Sequence, residues 1–203
     1  MEKETASISV IIVVHNEAEN LEQNLPTFLS TAQEAGAQVI VVDDMSSDDT
    51  PEVLQRLLLE HSNLYTTFLP KSVVPNPSRI RLALSIGIKA AKGQYLVFGD
   101  INRPPVSLEW LTGLADGEAS MVYTGRGNLV THVVATSLED LQAQVLKAER
   151  RSGSGHQGRC LKLHRGLYDA FAVRKEKAFD ALQYFDRDIR GGQLLALRLK
   201  TWL

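Results

Sequence analysis

The chain has 203 residues, of which 44% are hydrophobic and 23% are charged, with a formal net charge of −2. These values exclude a disordered chain, give no reason to expect nucleic-acid binding, and suit one domain with a sizeable core. A single cysteine, Cys160, excludes an internal disulfide and suits a reducing compartment. There is no signal-peptide pattern and no apolar run of about 18 residues. We therefore expect a cytoplasmic protein, and any contact with the inner face of the membrane would be peripheral or would lie in sequence absent from this chain.

A buried strand followed by a helix opens the chain. Ile8 to Val14 is almost entirely apolar and β-branched, a composition typical of a buried parallel strand. Asn16 is an expected N-cap for the helix that follows, and Gly36 ends that helix. Pro26 lies inside it, and we expect it to kink or restart the helix. The residues predicted for the inner face are Leu21, Leu25, Phe28, Leu29 and Ala32.

The alternation of strand and helix continues through the first half of the chain. Further strands are expected at 39–42, 65–69 and 95–98, and helices at 50–59 and 78–91. Thr50 with Pro51 opens the first of these helices, and Ser78 caps the second. This order predicts a single α/β domain with a mostly parallel twisted sheet, right-handed crossovers and helices on both faces.

The second half of the chain is less regular. The expected elements are a helix over 107–114, strands at 121–124 and near Val133, a helix over 138–151, a glycine-rich segment at 152–158, a strand over 168–173, a short helix, a loop over 185–190 and a final helix over 194–203. Basic residues surround the glycine-rich segment, namely Lys147, Arg150, Arg151, Arg159, Lys162 and Arg165. We interpret this segment either as a solvated loop or as a lid over a diphosphate or an anionic lipid-linked acceptor.

Polar residues follow three predicted strands at the point where each strand ends. They are Asn16-Glu17, Asp43-Asp44, and Asp100 with Asn102. Because ligands bind beyond the carboxyl ends of strands in open α/β sheets, we expect these residues to converge at one edge. The oxygens of Asp100 and Asn102 suit a hard divalent cation that bridges to phosphate. The alternative for an Asp after a strand is a turn or cap residue.

Residues 13–21, 41–50 and 100–102, which hold these polar sequences, resemble the nucleotide-binding half of family 2 glycosyltransferases. These are inverting enzymes of the GT-A fold, a Rossmann-like α/β architecture. The opening motif is also similar to that of polyprenyl-phosphate sugar transferases. The resemblance implies one GT-A-like domain over 1–203, with a nucleotide-sugar-binding half at 8–105 and an acceptor-side half at 106–203.

The resemblance implies roles for four of the polar and charged residues. Glu17 and Asp43 would hold the nucleoside of a UDP- or GDP-type sugar donor, because carboxylates accept hydrogen bonds from a pyrimidine N–H or a ribose hydroxyl. Asp44 either belongs to that site or is a turn residue that supports the loop. Arg79 either offsets the charge of the diphosphate or belongs to a solvated basic turn.

The family's metal motif and catalytic base both differ in this chain. Asp100 and Asn102 would hold manganese or magnesium on the donor diphosphate, with a neutral oxygen of Asn102 where the family pattern is anionic. The family's base is an acid at the start of a late helix with an Arg-Leu pair. If Arg198-Leu199 is that pair, Gly192-Gln193 stand at the acid's position, and neither accepts a proton. Asp188 is then the candidate base, since the positive end of the expected final helix would keep it ionised.

The resulting hypothesis is an inverting glycosyltransferase. It would move a sugar from a nucleotide-diphosphate sugar to a glycan or lipid-linked acceptor, in cell-surface glycan or polysaccharide assembly. The alternative is a non-catalytic nucleotide-sugar-binding module of a glycan-assembly complex, because of the two departures from the family pattern. A nucleotidyltransferase is disfavoured, because His15-Asn16-Glu17 is not a glycine-rich phosphate loop with a lysine.

Overall fold

The computed structural model describes residues 7–70, 79–102, 104, 119–124, 130–135, 161–162, 170–181, 185–188 and 193–199. The strands are β1 (Ile8–Val14), β2 (Gln38–Asp43), β3 (Leu64–Phe68), β4 (Tyr95–Gly99), β5 (Ala119–Thr124), β6 (Val130–Ala135), β7 (Leu161–Lys162), β8 (Ala170–Arg174), β9 (Phe185–Asp188) and β10 (Gln193–Leu199). The helices are α1 (Ala18–Glu34), α2 (Thr50–Glu60), α3 (Arg79–Ala90) and α4 (Ala178–Ala181), with a 3-10 turn at Lys175–Lys177.

The central sheet has seven strands in the order β3-β2-β1-β4-β8-β5-β6. The first four strands are parallel, with Ile12 of β1 opposite Val41 of β2 and Gly99 of β4. The remaining three strands join this group through antiparallel pairs. The predicted α/β class and its strand-helix alternation are therefore confirmed, and the parallel strands carry the predicted polar ends.

Helices cover both faces of the parallel strands, as expected. α3 approaches the sheet closely at Gly87, which packs against Ile11 of β1. Phe28 of α1 packs beside Ile12 and Gly99 instead. Because successive residues of a strand point to opposite faces, α3 and α1 lie on opposite sides of β1.

The core fills the space between the helices and the sheet. Every residue of β1 is buried, as the continuous apolar run predicted. The inner face predicted for α1 is also confirmed, since Leu21, Leu25, Phe28, Leu29 and Ala32 are all buried. α1 nevertheless runs without interruption through Pro26, so the predicted restart does not occur. Gly36 follows the helix with a φ of 64°, in the left-handed region that suits a glycine after a C-cap.

Two predictions for the end of the chain were wrong. Residues 185–188, expected in a loop, form β9, and residues 194–199, part of the helix expected over 194–203, lie in β10. β10 pairs antiparallel with β9 and with β7 in a separate three-stranded sheet. A short apolar run fits a strand and a helix equally well by pattern alone, and strand pairing decides the outcome here.

Several other predictions concern residues outside the described ranges. These are the helices over 107–114 and 138–151, the glycine-rich segment at 152–158, most of its basic flanks, and Cys160. In the described part, strands β5, β6 and β8 confirm those predicted at 121–124, near Val133 and at 168–173. None of the described helices has both the length and the apolar character needed to cross a membrane.

Candidate functional site

The carboxyl ends of three adjacent parallel strands form the candidate site. β2, β1 and β4 are neighbours in that order, so the residues that follow them meet at one edge of the sheet. Two hydrogen bonds tie the first two ends together. The Asp44 N–H donates to the Val14 carbonyl at 2.8 Å, and His15 Nδ1 lies 2.7 Å from the Asp44 carbonyl oxygen. Since a carbonyl only accepts, that nitrogen of His15 carries the proton.

Asp43 ends β2 and is held by the loop that follows it. Its residue is only 8% exposed. Its Oδ1 accepts hydrogen bonds from the Ser46 N–H at 3.0 Å and from the Ser46 hydroxyl at 2.6 Å. The carboxylate therefore has a fixed orientation at the sheet edge, where a ligand is expected.

Asn16 is not the N-cap that the sequence predicted. The cap position belongs to Glu17, and Asn16 has a φ of 54°, a left-handed conformation that Asn tolerates better than most residues. The side chain of Asn16 instead reaches the other loop, where its Oδ1 accepts from the Ser47 N–H at 2.7 Å. The Asn16 N–H in turn donates to the Ser46 hydroxyl oxygen at 2.9 Å.

The first turn of α1 is capped from the same neighbouring loop. Asp48 Oδ2 accepts from the Ala18 N–H at 3.2 Å, and the Thr50 hydroxyl oxygen accepts from the Glu17 N–H at 3.0 Å. Burial alone would raise the pKa of the Asp48 carboxyl, but its hydrogen bonds with Thr50 and Ala18 outweigh that effect and lower the pKa. Asp48 therefore remains ionised at the positive end of α1, where an anion is stabilised.

Glu17, one of the two predicted nucleoside ligands, lies at the start of α1. The side-chain amide of Asn20, one helical turn further on, donates to its carboxylate. Glu17 is partly exposed, so its side chain is accessible, whereas Asp43 is buried.

Asp44 and Arg79, predicted separately, form an ion pair. Arg79 Nε donates to Asp44 Oδ1 at 2.8 Å, and Nη2 donates to the same oxygen. The side chain of Asp44 is 2% exposed and that of Arg79 is 21% exposed. Arg79 therefore neutralises a buried carboxylate at the site, in addition to any charge it offers to a diphosphate.

Asp100 and Asn102 close a turn on one another. Asp100 Oδ1 accepts from the Asn102 N–H at 3.0 Å and from its side-chain amide at 3.1 Å. Among the described residues there is no cluster of three or more His, Cys, Asp or Glu side chains that could hold a metal. The chemistry still fits magnesium or manganese, because such ions are often held by one or two carboxylates together with substrate phosphates.

Asp188 does not precede a final helix, on which its predicted role as the base depended. Asp188 ends β9 opposite Gln193 of β10, and a strand stands where the helix was expected. The helix dipole therefore does not explain why Asp188 would stay ionised. Arg198 and Leu199 belong to the same strand, so they do not mark a late helix either.

Sequence reasoning missed the residues that hold this edge together. Ser46, Asp48 and Thr50 bind the β1–α1 loop or orient Asp43, yet the sequence pattern assigned none of them a role at the site. The available signal was a Ser and an Asp three and five positions after Asp43, since such short side chains bond to nearby backbone N–H groups.

Comparison with known proteins addresses the family directly. Residues 9–101, which contain all three polar strand ends apart from Asn102, match the family described as glycosyl transferase family 2. The resemblance to family 2 glycosyltransferases is confirmed over this range. No curated protein sequence matches the chain.

Solved glycosyltransferase structures share the fold. The mannosyltransferase PcManGT from Pyrobaculum calidifontis, in complex with GDP-Man and Mn2+, is 18% identical with a TM-score of 0.57, and the match covers 95% of this chain and 51% of that one. GalNAc-T7 with UDP, GalNAc and Mn2+ is 19% identical with a TM-score of 0.52, covering 89% and 37%. Glucosyl-3-phosphoglycerate synthase of M. tuberculosis is 21% identical with a TM-score of 0.50, covering 86% and 60%. The GT-A fold predicted from the sequence is thereby confirmed, and the chain matches about half the length of the mannosyltransferase.

Proposed function

We propose that the protein transfers a sugar from a nucleotide-diphosphate sugar to an acceptor hydroxyl, with inversion at the anomeric carbon. The observation that carries this proposal is the convergence of Glu17, Asp43 and Asp100 at one sheet edge, within the matched residues. The complexes of PcManGT with GDP-Man and of GalNAc-T7 with UDP support a nucleotide-sugar donor. The opening motif supports a glycan or lipid-linked acceptor.

Asp43 is proposed to bind the nucleoside. Ser46 engages Oδ1, and no described residue bonds to Oδ2, which can accept from a ribose hydroxyl or a base N–H. Glu17 follows β1, the strand next to β2, and supplies a second carboxylate at the same edge of the sheet. Asp44 is proposed to act through Arg79, because its buried side chain bonds to that guanidinium.

Asp100 and Asn102 are proposed to hold a divalent cation on the donor diphosphate. PcManGT and GalNAc-T7 are both complexed with Mn2+. When bound, such an ion neutralises the negative charge that develops on the departing diphosphate. Asp100 contributes the charged ligand, and the amide oxygen of Asn102 contributes a neutral one.

Asp188 stays the proposed base, with Asp186 as the second candidate. A base within hydrogen-bond reach of the acceptor contributes roughly 10²–10⁴-fold to the rate. Asp188→Asn should therefore keep donor binding while transfer falls steeply. Normal transfer by both Asp188→Asn and Asp186→Asn would place the base elsewhere.

A non-catalytic nucleotide-sugar-binding module is the second candidate. One observation favours it, namely the neutral Asn102 in the metal motif. This candidate predicts donor binding without turnover on any acceptor, so a transfer assay separates it from the first.

Calorimetric titration with UDP and GDP, with and without manganese, tests the shared donor site. We expect one of them to bind, and we expect Asp43→Ala to abolish binding while the protein remains folded. Asp49→Ala is the matched control, because Asp49 is an exposed Asp of the same loop whose side chain makes no capping hydrogen bond. If neither nucleotide binds at millimolar concentration, the proposed donor site is wrong.

A further inference from the structure

The two loops that border the candidate donor site hold each other by hydrogen bonds in both directions. The Asn16 N–H of the β1–α1 loop donates to the Ser46 hydroxyl oxygen, and the Ser47 N–H of the β2–α2 loop donates to Asn16 Oδ1. The donor–acceptor distances are 2.9 Å and 2.7 Å. We call this pair of contacts the Asn16–Ser46 clasp.

The Ser46 hydroxyl connects the clasp to Asp43, and the direction of its proton is determined. A backbone N–H only donates, so the oxygen of this hydroxyl accepts from Asn16. An ionised carboxylate only accepts, so the single hydroxyl proton points to Asp43 Oδ1, 2.6 Å away. The oxygen and the proton of this hydroxyl are thus both engaged, which fixes its orientation.

The backbone around Ser46 is held in an unfavourable conformation that delivers it to Asp43. Met45 has a φ of 57°, and Asn16 has a φ of 54°. These are the non-glycine residues with positive φ in the described part of the chain. A left-handed residue without a special side chain is strained, and such strain is retained where the surrounding contacts enforce it. Met45 thus carries strain that places the N–H and the hydroxyl of the next residue on one carboxylate oxygen.

From this geometry we infer that Ser46 is a positioning residue for the nucleotide donor. It fixes the rotation of the Asp43 carboxylate through Oδ1, so that Oδ2 meets the nucleoside in a preset orientation. Through Asn16, it also fixes the loop that carries Glu17. The inference rests on the proposed function, and it adds that the affinity for the nucleoside depends on a hydroxyl that does not itself contact the ligand.

Preorganisation explains why this hydroxyl should affect affinity. A carboxylate that is free to rotate loses that freedom when it binds a ligand, and the loss reduces affinity. Hydrogen bonds to charged groups are also among the stronger ones in proteins. Removing the hydroxyl should therefore weaken donor binding without removing any contact to the donor.

Ser46→Ala and Ser47→Ala form a matched pair for the test. Ser46→Ala removes the bonds to Asp43 and Asn16 but keeps the backbone N–H bond to Asp43. Ser47→Ala removes a hydroxyl that lies 3.4 Å from Asn16 Oδ1 and keeps the Ser47 backbone bond to it. The dissociation constant for UDP or GDP, whichever the unmodified protein binds, is measured by calorimetry well below the melting temperature.

We expect Ser46→Ala to weaken nucleotide binding about tenfold, as loss of one hydrogen bond to a charged group would. Ser47→Ala should bind within about twofold of the unmodified protein, and Ser46→Thr, which keeps a hydroxyl, should restore most of the affinity. In a transfer assay, KM for the donor should rise while kcat changes little. If Ser46→Ala is not folded, Ser46→Cys retains the shape, and its weaker hydrogen bonding should still reduce affinity.

The outcomes separate this inference from the proposed function. If the unmodified protein binds neither UDP nor GDP, the proposed donor site fails and the inference fails with it. If the unmodified protein binds and Asp43→Ala does not, the donor site stands. Equal affinity of Ser46→Ala and Ser47→Ala would then overturn the inference alone, as would a fall in kcat with an unchanged KM.

Discussion

Arg79 donates two hydrogen bonds to a single oxygen of Asp44, and the two partners differ tenfold in exposure. The Asp44 side chain is 2% exposed and the Arg79 side chain is 21% exposed. A charge that is removed from water is costly unless it is paired, whereas a charge near the surface can still be solvated. Replacing the two side chains should therefore lower the free energy of unfolding by different amounts.

Replacing Arg79 should destabilise the protein more than replacing Asp44. Arg79→Met removes the two hydrogen bonds that this guanidinium donates to the buried Asp44 carboxylate, and we expect a loss of about 2–4 kcal/mol in the free energy of unfolding. Asp44→Asn leaves a partly exposed guanidinium and should cost about 1–2 kcal/mol. Urea denaturation of both variants at neutral pH measures the difference.

The control for that comparison is the exposed ion pair between Arg56 and Glu22, which joins α2 to α1 at 2.7 Å. Both side chains are about half exposed, so Arg56→Met should unfold close to the unmodified protein. If Arg79→Met were as stable as Arg56→Met, the buried pair would not contribute as described.

The cap that Asp48 provides to α1 should make stability depend on pH. The pKa of Asp48 is lowered in the folded state, so its stabilising effect is present above the unfolded pKa and is lost as the pH falls through the folded pKa. At neutral pH, Asp48→Ala should cost about 1 kcal/mol, as for other capping residues. The gap between variant and unmodified protein should begin to narrow below about pH 4, the ordinary pKa of an aspartate, and close as the pH falls through the lowered pKa of the folded state.

Denaturant midpoints measured across the acidic range test this dependence. Asp49→Ala serves as the control, since the Asp49 side chain makes no capping hydrogen bond. A gap for Asp48→Ala that stayed constant between neutral and acidic pH would show that the charge of Asp48 does not contribute.

Two glycines should differ sharply when each is replaced by alanine. At Gly93, an added Cβ would lie 2.6 Å from backbone atoms of Ile8 and Ser9, which cannot move without shifting β1. Gly93→Ala should cost about 3 kcal/mol or more. At Gly36 the space is open, so Gly36→Ala should cost only the left-handed strain, about 1 kcal/mol. Equal melting temperatures for the two variants would contradict the close approach at Gly93.

Metal dependence should follow the charge of the residues at the Asp100 turn. Asp100→Ala should abolish the effect of manganese on nucleotide binding, whereas Asn102→Ala should reduce it less. Asn102→Asp should strengthen manganese binding because it adds an anionic oxygen ligand. Titration of each variant with manganese in the presence of the nucleotide measures these effects. Negligible change in all three would mean that these residues only shape the turn.

The first half of the fold was predictable because local patterns and global topology agree there. β1 is apolar throughout, and the apolar residues of α1 repeat at helical spacing. The spacing of apolar residues therefore predicts the same elements that burial in the core stabilises. The meeting of Asp43 and Asp100 at one edge followed from the parallel order of the strands. Their position in the fold thus needed no knowledge of side-chain contacts.

The remaining features depended on contacts between residues distant in sequence. Residues 193–199 form a strand because β9 and β7 pair with them, and an apolar run alone does not show which strands will pair with it. Arg79 lies 35 positions from Asp44, so no local sequence pattern predicts their ion pair. The residue type of Asn16 suits a helix cap, but its side chain bonds to Ser47 instead.

The Asn16–Ser46 clasp also constrains how the site can open. The β1–α1 and β2–α2 loops are bonded to each other, and Asp48 of the second loop caps α1, which follows the first. Movement of either loop therefore breaks the hydrogen bonds of both. Local opening in proteins occurs in cooperative units rather than one residue at a time. The amide protons of Asn16, Ala18 and Ser47 should therefore show a common protection factor against exchange with solvent deuterium, set by one shared fluctuation. A ligand seated between the loops would slow all three together, even though they belong to segments that lie about 30 residues apart in the chain.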